Sequence, residues 1–217
     1  MLVYIYITFI GIAFLSSLNS FRLDFPLHLK IFSLLLGCDL LVELSANFFL
    51  HLWHFRSNVP LYNAAMLLEF LTYAYFFRTV LTNPLLKRLI DIYMILLPIF
   101  WVIVVFYVFG IRHWNSYFSI VGSFFTVCMA AAFYYQLFTA PTLIRLSISP
   151  EFWIATALII FFACNLPYLG TLNYITQKYP ALARSFLQLL QILNIIMYSL
   201  ITLAFLCRIR IMKLSSY

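Results

Sequence analysis

Asp39, Glu43, Asn47 and His51 recur every four residues within the stretch CDLLVELSANFFLHLWH, and Glu69 follows in LYNAAMLLEFLTYAYFF. A spacing of four places side chains on one slowly drifting face of a helix. Two carboxyls, an amide and an imidazole on such a face can hold a proton, bind a polar ligand or serve as acid and base. Two carboxyls one turn apart in a low dielectric repel when both are ionised, so at least one of Asp39 and Glu43 is expected to be neutral at neutral pH. Other polar groups occur at matching positions elsewhere: Asn63, Thr72 and Tyr73 around Glu69, Asn165 and Tyr168 around Pro167, and Arg184, Gln188, Gln191, Asn194 and Tyr198 in the stretch RSFLQLLQILNIIMY. The candidate ligand- or proton-binding set is Asp39, Glu43, Asn47, His51, Glu69, Tyr73, Asn165, Tyr168, Gln188 and Gln191. Helix-to-helix hydrogen bonding is the competing role for each of them.

Other chemistries fit less well. A retinal Schiff base needs a lysine deep in an apolar segment, and Lys30, Lys87, Lys178 and Lys213 all lie near segment ends or in connections. A zinc site needs three or four ligands; His51 and His54, with His113, are the weak candidates, and no metal or other cofactor is expected. Histidines beside Trp53 and Trp114 also fit a membrane interface. No Gly-rich phosphate loop or nucleophile elbow occurs, and Ser45 near the face of His51 leaves only a weak hydrolase option.

The elements that carry these residues follow from composition. The chain has 65% hydrophobic, 20% aromatic and 9% charged residues, against about 25% charged in soluble domains. Its solvent must therefore be lipid, and the expected class is an all-α polytopic membrane protein. Seven apolar segments, about 2–19, 29–54, 61–81, 89–110, 116–139, 151–173 and 181–207, meet the roughly 20 residues a spanning helix needs. They form a single domain over 1–217. The first is read as a retained helix, since it lacks a basic leader and a small-residue cleavage site. Pro98 and Pro167 fall inside segments and are expected to kink them. Cys38, Cys128, Cys164 and Cys207 are expected as buried thiols.

Basic residues near segment ends set orientation. With the C-terminus inside, nine lie on the cytoplasmic side (Arg22, Lys30, Arg78, Lys87, Arg88, Arg145, Arg208, Arg210, Lys213) and four outside (Arg56, Arg112, Lys178, Arg184), so the N-terminus is expected out. The net charge of +7 is accounted for by this bias and by contact with anionic lipid, and no nucleic-acid partner is expected. In that frame Asp39, Glu43 and Glu69, three of the six acids, lie near mid-membrane with no Lys or Arg at their depth. An ionisable group there costs on the order of 3 kcal/mol or more, so these face the bundle interior, around a cavity opening outward and lined by segments two, three, six and seven. Glu43 and Glu69 are expected to meet across segments two and three, with Asn47 one turn outward.

In its seven segments, its orientation and LYNAAMLLEFLTYAYFF with Asn63 and Glu69, the chain resembles small seven-helix bacterial membrane proteins. It is similar in layout to the seven-helix sensor regions that precede histidine kinases. The resemblance implies a ligand-sensing module in a bacterial inner membrane. The chain ends at Tyr217 without a kinase or cyclase, so a partner is expected to carry the signal. A sensor for a small or amphipathic ligand leads the expectations. A proton-coupled transporter comes second, weakened by the lack of an internal repeat, and an intramembrane lipid-modifying enzyme third. The oligomeric state is left open.

Overall fold

Backbone amides and carbonyls find no partners in hydrocarbon, so a chain this apolar has to satisfy them within helices. The computed structural model describes residues 2–23, 25–49, 57–139 and 149–214. They form α1 (Leu2–Ser17), a short α2 (Asn19–Arg22), α3 (Leu27–Leu44), α4 (Val59–Val80), α5 (Pro84–Ile103), α6 (Ser116–Thr139), α7 (Pro150–Lys178) and α8 (Pro180–Leu214). α3 runs on into a π-helical turn, Ser45–Phe49, and α5 into another, Val104–Phe109. No strand occurs among the described residues.

Capping chemistry moves helix starts beyond what apolarity alone indicates. The Asn83 side chain accepts from the amides of Leu85 and Leu86, and Pro84 occupies the first turn, so α5 begins five residues before the apolar segment at 89. Ser149 does the same for α7, accepting from Phe152 N with Pro150 behind it. Pro98 and Pro167 both lie inside continuous helices.

Among the described residues, five helices are long and apolar enough to cross a membrane: Leu2–Arg22, Pro84–Val108, Ser116–Thr139, Pro150–Tyr168 and Ala181–Cys207. The sequence reading predicts seven. The two that fall short are α3 and α4, which have 18 and 22 residues but carry His28, Lys30, Asp39 and Glu43 in the one and Asn63, Glu69 and Arg78 in the other. Asp39, Glu43 and Glu69, three residues proposed for chemistry, are thus among the polar groups that make these two helices less apolar than the other five.

The helices run up and down in turn, and each end is marked by contacts. At one end the start of α1 meets the end of α3 (Tyr6 with Glu43), and the end of α7 meets the start of α8, where the Tyr168 and Phe186 rings stack at 5.2 Å. At the other, His28 at the start of α3 bonds Glu151 at the start of α7 at 3.3 Å, and Gln136 late in α6 accepts from Thr82 N at 2.7 Å just past α4. α1, α3, α4, α6, α7 and α8 pack in that order and close on α1, while α5 leans on α4. Arg78 and Asp91 pair between α4 and α5.

Aromatic rings fill the middle. Phe70 is 2% exposed and meets the rings of Tyr73, Phe118 and Phe162. Gly122 of α6 permits this, since a Cβ there would overlap the Phe70 ring. The outer surface is apolar, with Leu41, Ile95, Tyr107 and Phe138 exposed, as a lipid-facing bundle requires. Cys38, Cys128 and Cys164 belong to this outer surface, correcting the expectation of buried thiols: a small weakly polar thiol costs little against lipid.

A second correction concerns Asn63, which is fully buried but not in a cavity. Its side chain donates to the carbonyls of His113 (3.0 Å) and Ile111 (3.4 Å) and accepts from Asn115 N (3.3 Å), while Trp101 Nε1 donates to its carbonyl (2.7 Å). It clasps the α5–α6 connection onto α4, satisfying backbone groups that would otherwise be stranded.

Candidate functional site

Two helix pairs far apart in sequence, α3 with α4 and α7 with α8, enclose a polar cavity of ≈ 90 Å³. That is room for a few waters or a small polar group. α3 contributes Asp39, Val42 and Glu43, and α4 contributes Tyr62, Glu69 and Tyr73, spaced by seven and four so that they share a face. Phe161 of α7 and Asn194, Met197 and Tyr198 of α8 complete the wall. Three carboxyls therefore border one small space, and no Lys or Arg among the described residues joins them.

The three carboxyls differ in their partners. One oxygen of Glu43 accepts from the Tyr6 hydroxyl (2.6 Å), the Asn47 amide (3.0 Å) and the Tyr62 hydroxyl (3.1 Å). Asn47 also donates to the Glu43 carbonyl at 2.9 Å, just where α3 loosens into its π turn. Asp39, 6% exposed, accepts from the Tyr198 hydroxyl alone among the described residues, at 3.3 Å. Glu69 accepts no hydrogen bond among the described residues, although it borders the cavity. Tyr73 is 3% exposed, its ring set against Phe32, Phe70 and Phe162, and its hydroxyl has no hydrogen-bond partner among the described residues. The aromatic core thus forms the floor, and Tyr73 belongs to both.

A second, apolar pocket of ≈ 110 Å³ lies between α3 and α4 and shares Asp39 and Val42 with the first. Leu35, Cys38, Leu61, Ala64, Ala65 and Leu68 line it. Its rim, Cys38, Ala64 and Leu68, is exposed on the outer face of the bundle.

Of the residues singled out from sequence, the structure gathers Asp39, Glu43, Glu69 and Tyr73 around the cavity and holds Asn47 against Glu43. It does not bring in Asn165, Tyr168, Gln188 or Gln191. Gln188 and Gln191 lie about two turns and one turn before Asn194 on α8; Asn165 lies about one turn past Phe161 on α7, and Tyr168 stacks on Phe186. These four do not line the cavity, because helical spacing fixes a face and leaves the level open. His51 and His54 lie outside the described residues; the His113 side chain is exposed in the α5–α6 connection, and no metal-holding cluster occurs among the described residues.

Tyr6 and Tyr62 are the contributors that sequence reading passed over. With 15 tyrosines in the chain, no single one stands out. Their levels carried a signal: Tyr6 near the start of α1 and Tyr62 near the start of α4 lie at the bundle end toward which Glu43 points along α3.

The helices, the apolar surface and the enclosed acids define an all-α, multi-pass membrane protein. No protein-family model, curated protein or solved structure matches the chain.

Proposed function

We propose that the chain is a membrane sensor that binds a small ligand in the cavity of α3, α4, α7 and α8 and passes the change to a partner at the cytoplasmic side. The observation that carries this reading is the pair of under-partnered carboxyls, Asp39 and Glu69, facing an enclosed space with no basic side chain among the described residues. Buried acids are costly in a membrane, and a bare one that serves only packing would be replaced at little loss. The reading takes all seven rods as spanning, since α3 is held between α1 and α4, and α4 between α3, α5 and α6, which leaves neither free to lie on the surface. It takes the start of α1 as outside and the end of α8 as cytoplasmic, in a bacterial inner membrane, on the nine-to-four bias of basic residues. The cavity reaches Tyr62, close to the start of α4, and so lies toward the outer side.

A reporter fused after Tyr217 is expected to read cytoplasmic, and a tag at Asn58 is expected to be accessible from outside intact cells. The reverse pair of results overturns the orientation. For function, purified protein in nanodiscs is screened against small metabolites by thermal shift. Compounds that raise the melting temperature of wild type and not of Glu69→Gln support the site. Reconstitution then separates the two leading classes, because a proton-coupled transporter accumulates the bound compound in liposomes with proton movement, whereas a sensor binds it without uptake.

A further inference from the structure

We infer that the ligand of this site is a primary amine with an apolar tail, its ammonium held by Asp39, Glu69 and Tyr73 and its tail lying in the apolar pocket between α3 and α4. This deepens the sensor reading and rests on it. Glu43 is already supplied with three donors from Tyr6, Asn47 and Tyr62, so it needs no further cation. Asp39 has a single donor, Glu69 none, and the Tyr73 hydroxyl, nine-tenths and more buried, none. An ammonium group on an alkyl chain carries three N–H donors and no acceptor. Three acceptors stand unfilled or nearly so around one small space, which matches that count.

Charge points the same way. An anionic or zwitterionic head would place negative charge among three carboxyls with no base among the described residues to meet it, whereas a cation is attracted by each carboxyl that is ionised and stabilises its ionised form. Phe161, Tyr73 and Tyr198 add aromatic faces suited to an alkylammonium. A bare divalent ion is disfavoured because the carboxyls do not form a metal-holding group. Tail chemistry follows from the second pocket, which meets the first at Asp39 and Val42, is lined by aliphatic side chains and has its rim on the outer face. A ligand dissolved in the bilayer could enter there sideways, tail along the rim and head toward Asp39. The occupant is a free amine rather than the ethanolamine headgroup of a phospholipid, whose phosphate the three carboxyls would repel.

The test uses n-hexylamine as the probe, with n-hexanol and hexyltrimethylammonium as controls, on the full-length protein in phosphatidylglycerol nanodiscs. Hexylamine is expected to bind about tenfold or more tightly than either control, hexanol lacking the charge and hexyltrimethylammonium the N–H donors. Glu69→Gln and Asp39→Asn are each expected to weaken hexylamine about tenfold while melting cooperatively. Ala64→Phe, which fills the apolar pocket, is expected to weaken hexylamine and leave methylamine unchanged. Equal binding of hexylamine and hexanol, or equal binding by wild type and Glu69→Gln, overturns the proposal. Loss of hexylamine binding on adding phosphatidylethanolamine to the discs also overturns it, in favour of a lipid headgroup. If a carboxylate or neutral metabolite binds wild type and not Glu69→Gln, the amine assignment falls and the sensor site stands; if no compound distinguishes the two proteins, the sensor site itself falls.

Discussion

Replacing Glu43 with leucine is expected to lower the stability of the bundle by about 2–3 kcal/mol, whereas Glu69→Leu is expected to stay within about 1 kcal/mol of wild type. The two residues border the same cavity, and from sequence they look equivalent. Their partners make the difference. Glu43 is the common acceptor for the Tyr6 hydroxyl of α1, the Tyr62 hydroxyl of α4 and the Asn47 amide beside it, so its loss strands three donors and unties α1 and α4 from α3 together. Hydrogen bonds between membrane helices are worth about 0.6 kcal/mol on average and up to about 1.7, and the two from Tyr6 and Tyr62, together with the local one from Asn47, give the stated loss. Glu69 holds no donor among the described residues, and a leucine there relieves repulsion from Asp39 and Glu43 without stranding a group. Thermal or denaturant unfolding in detergent measures both. Glu43→Gln, which keeps an acceptor oxygen, should recover at least half of the loss. Equal losses for Glu43→Leu and Glu69→Leu would show that the tyrosine fork on Glu43 contributes nothing.

This asymmetry is invisible in the sequence, where Glu43 and Glu69 are expected to meet as a pair across segments two and three and nothing sets one apart from the other. Hydropathy locates the helices because a spanning segment has to be apolar over most of its length, and Ser116–Thr139 coincides with its predicted segment for that reason. Four-residue spacing locates a polar face, and so Asp39, Glu43 and Asn47 come out together on α3. Depth is a different matter. Gln188 and Gln191 lie on α8 about two turns and one turn from the cavity, and only the way α8 sits against α7 and α1 determines which turn meets Asp39; that turn carries Asn194 and Tyr198. Asn63 is a plain case of the same limit. Its polarity is visible in the sequence, but its partners are the carbonyls of Ile111 and His113 some fifty residues away, and no local pattern announces them. The contribution of α1 was hidden for a related reason, since Tyr6 reaches Glu43 only because the ring of helices closes, with α8 and α3 both packed on α1.

Gly122→Ala is expected to destabilise the protein by about 1–3 kcal/mol, against the usual sign for this substitution in a helix. Alanine normally stabilises a helix interior relative to glycine by roughly 0.5–1 kcal/mol. At Gly122 the added methyl would overlap the ring of Phe70, and this ring cannot swing away. It is 2% exposed and faces Tyr73 at 6.4 Å, Phe118 at 5.7 Å and Phe162 at 5.7 Å, with Phe118 in turn set against Phe100. Accommodating the methyl therefore means moving α6 away from α4 or shifting several rings at once. Gly11→Ala is the control, since a Cβ there meets nothing within 4 Å, and it is expected to be neutral or slightly stabilising. Phe70→Leu on its own leaves a void and also destabilises. Combined with Gly122→Ala, however, the methyl enters the space the ring has left, so the double variant is expected to be more stable than the sum of the single effects by about 1 kcal/mol or more. Strict additivity would mean that the two residues do not touch in the folded protein. Because Tyr73 is both a neighbour of Phe70 and a wall of the cavity, the same cycle reads out coupling to the site: Gly122→Ala should weaken hexylamine binding, Gly11→Ala should not, and relief of the clash in the double variant should recover part of it.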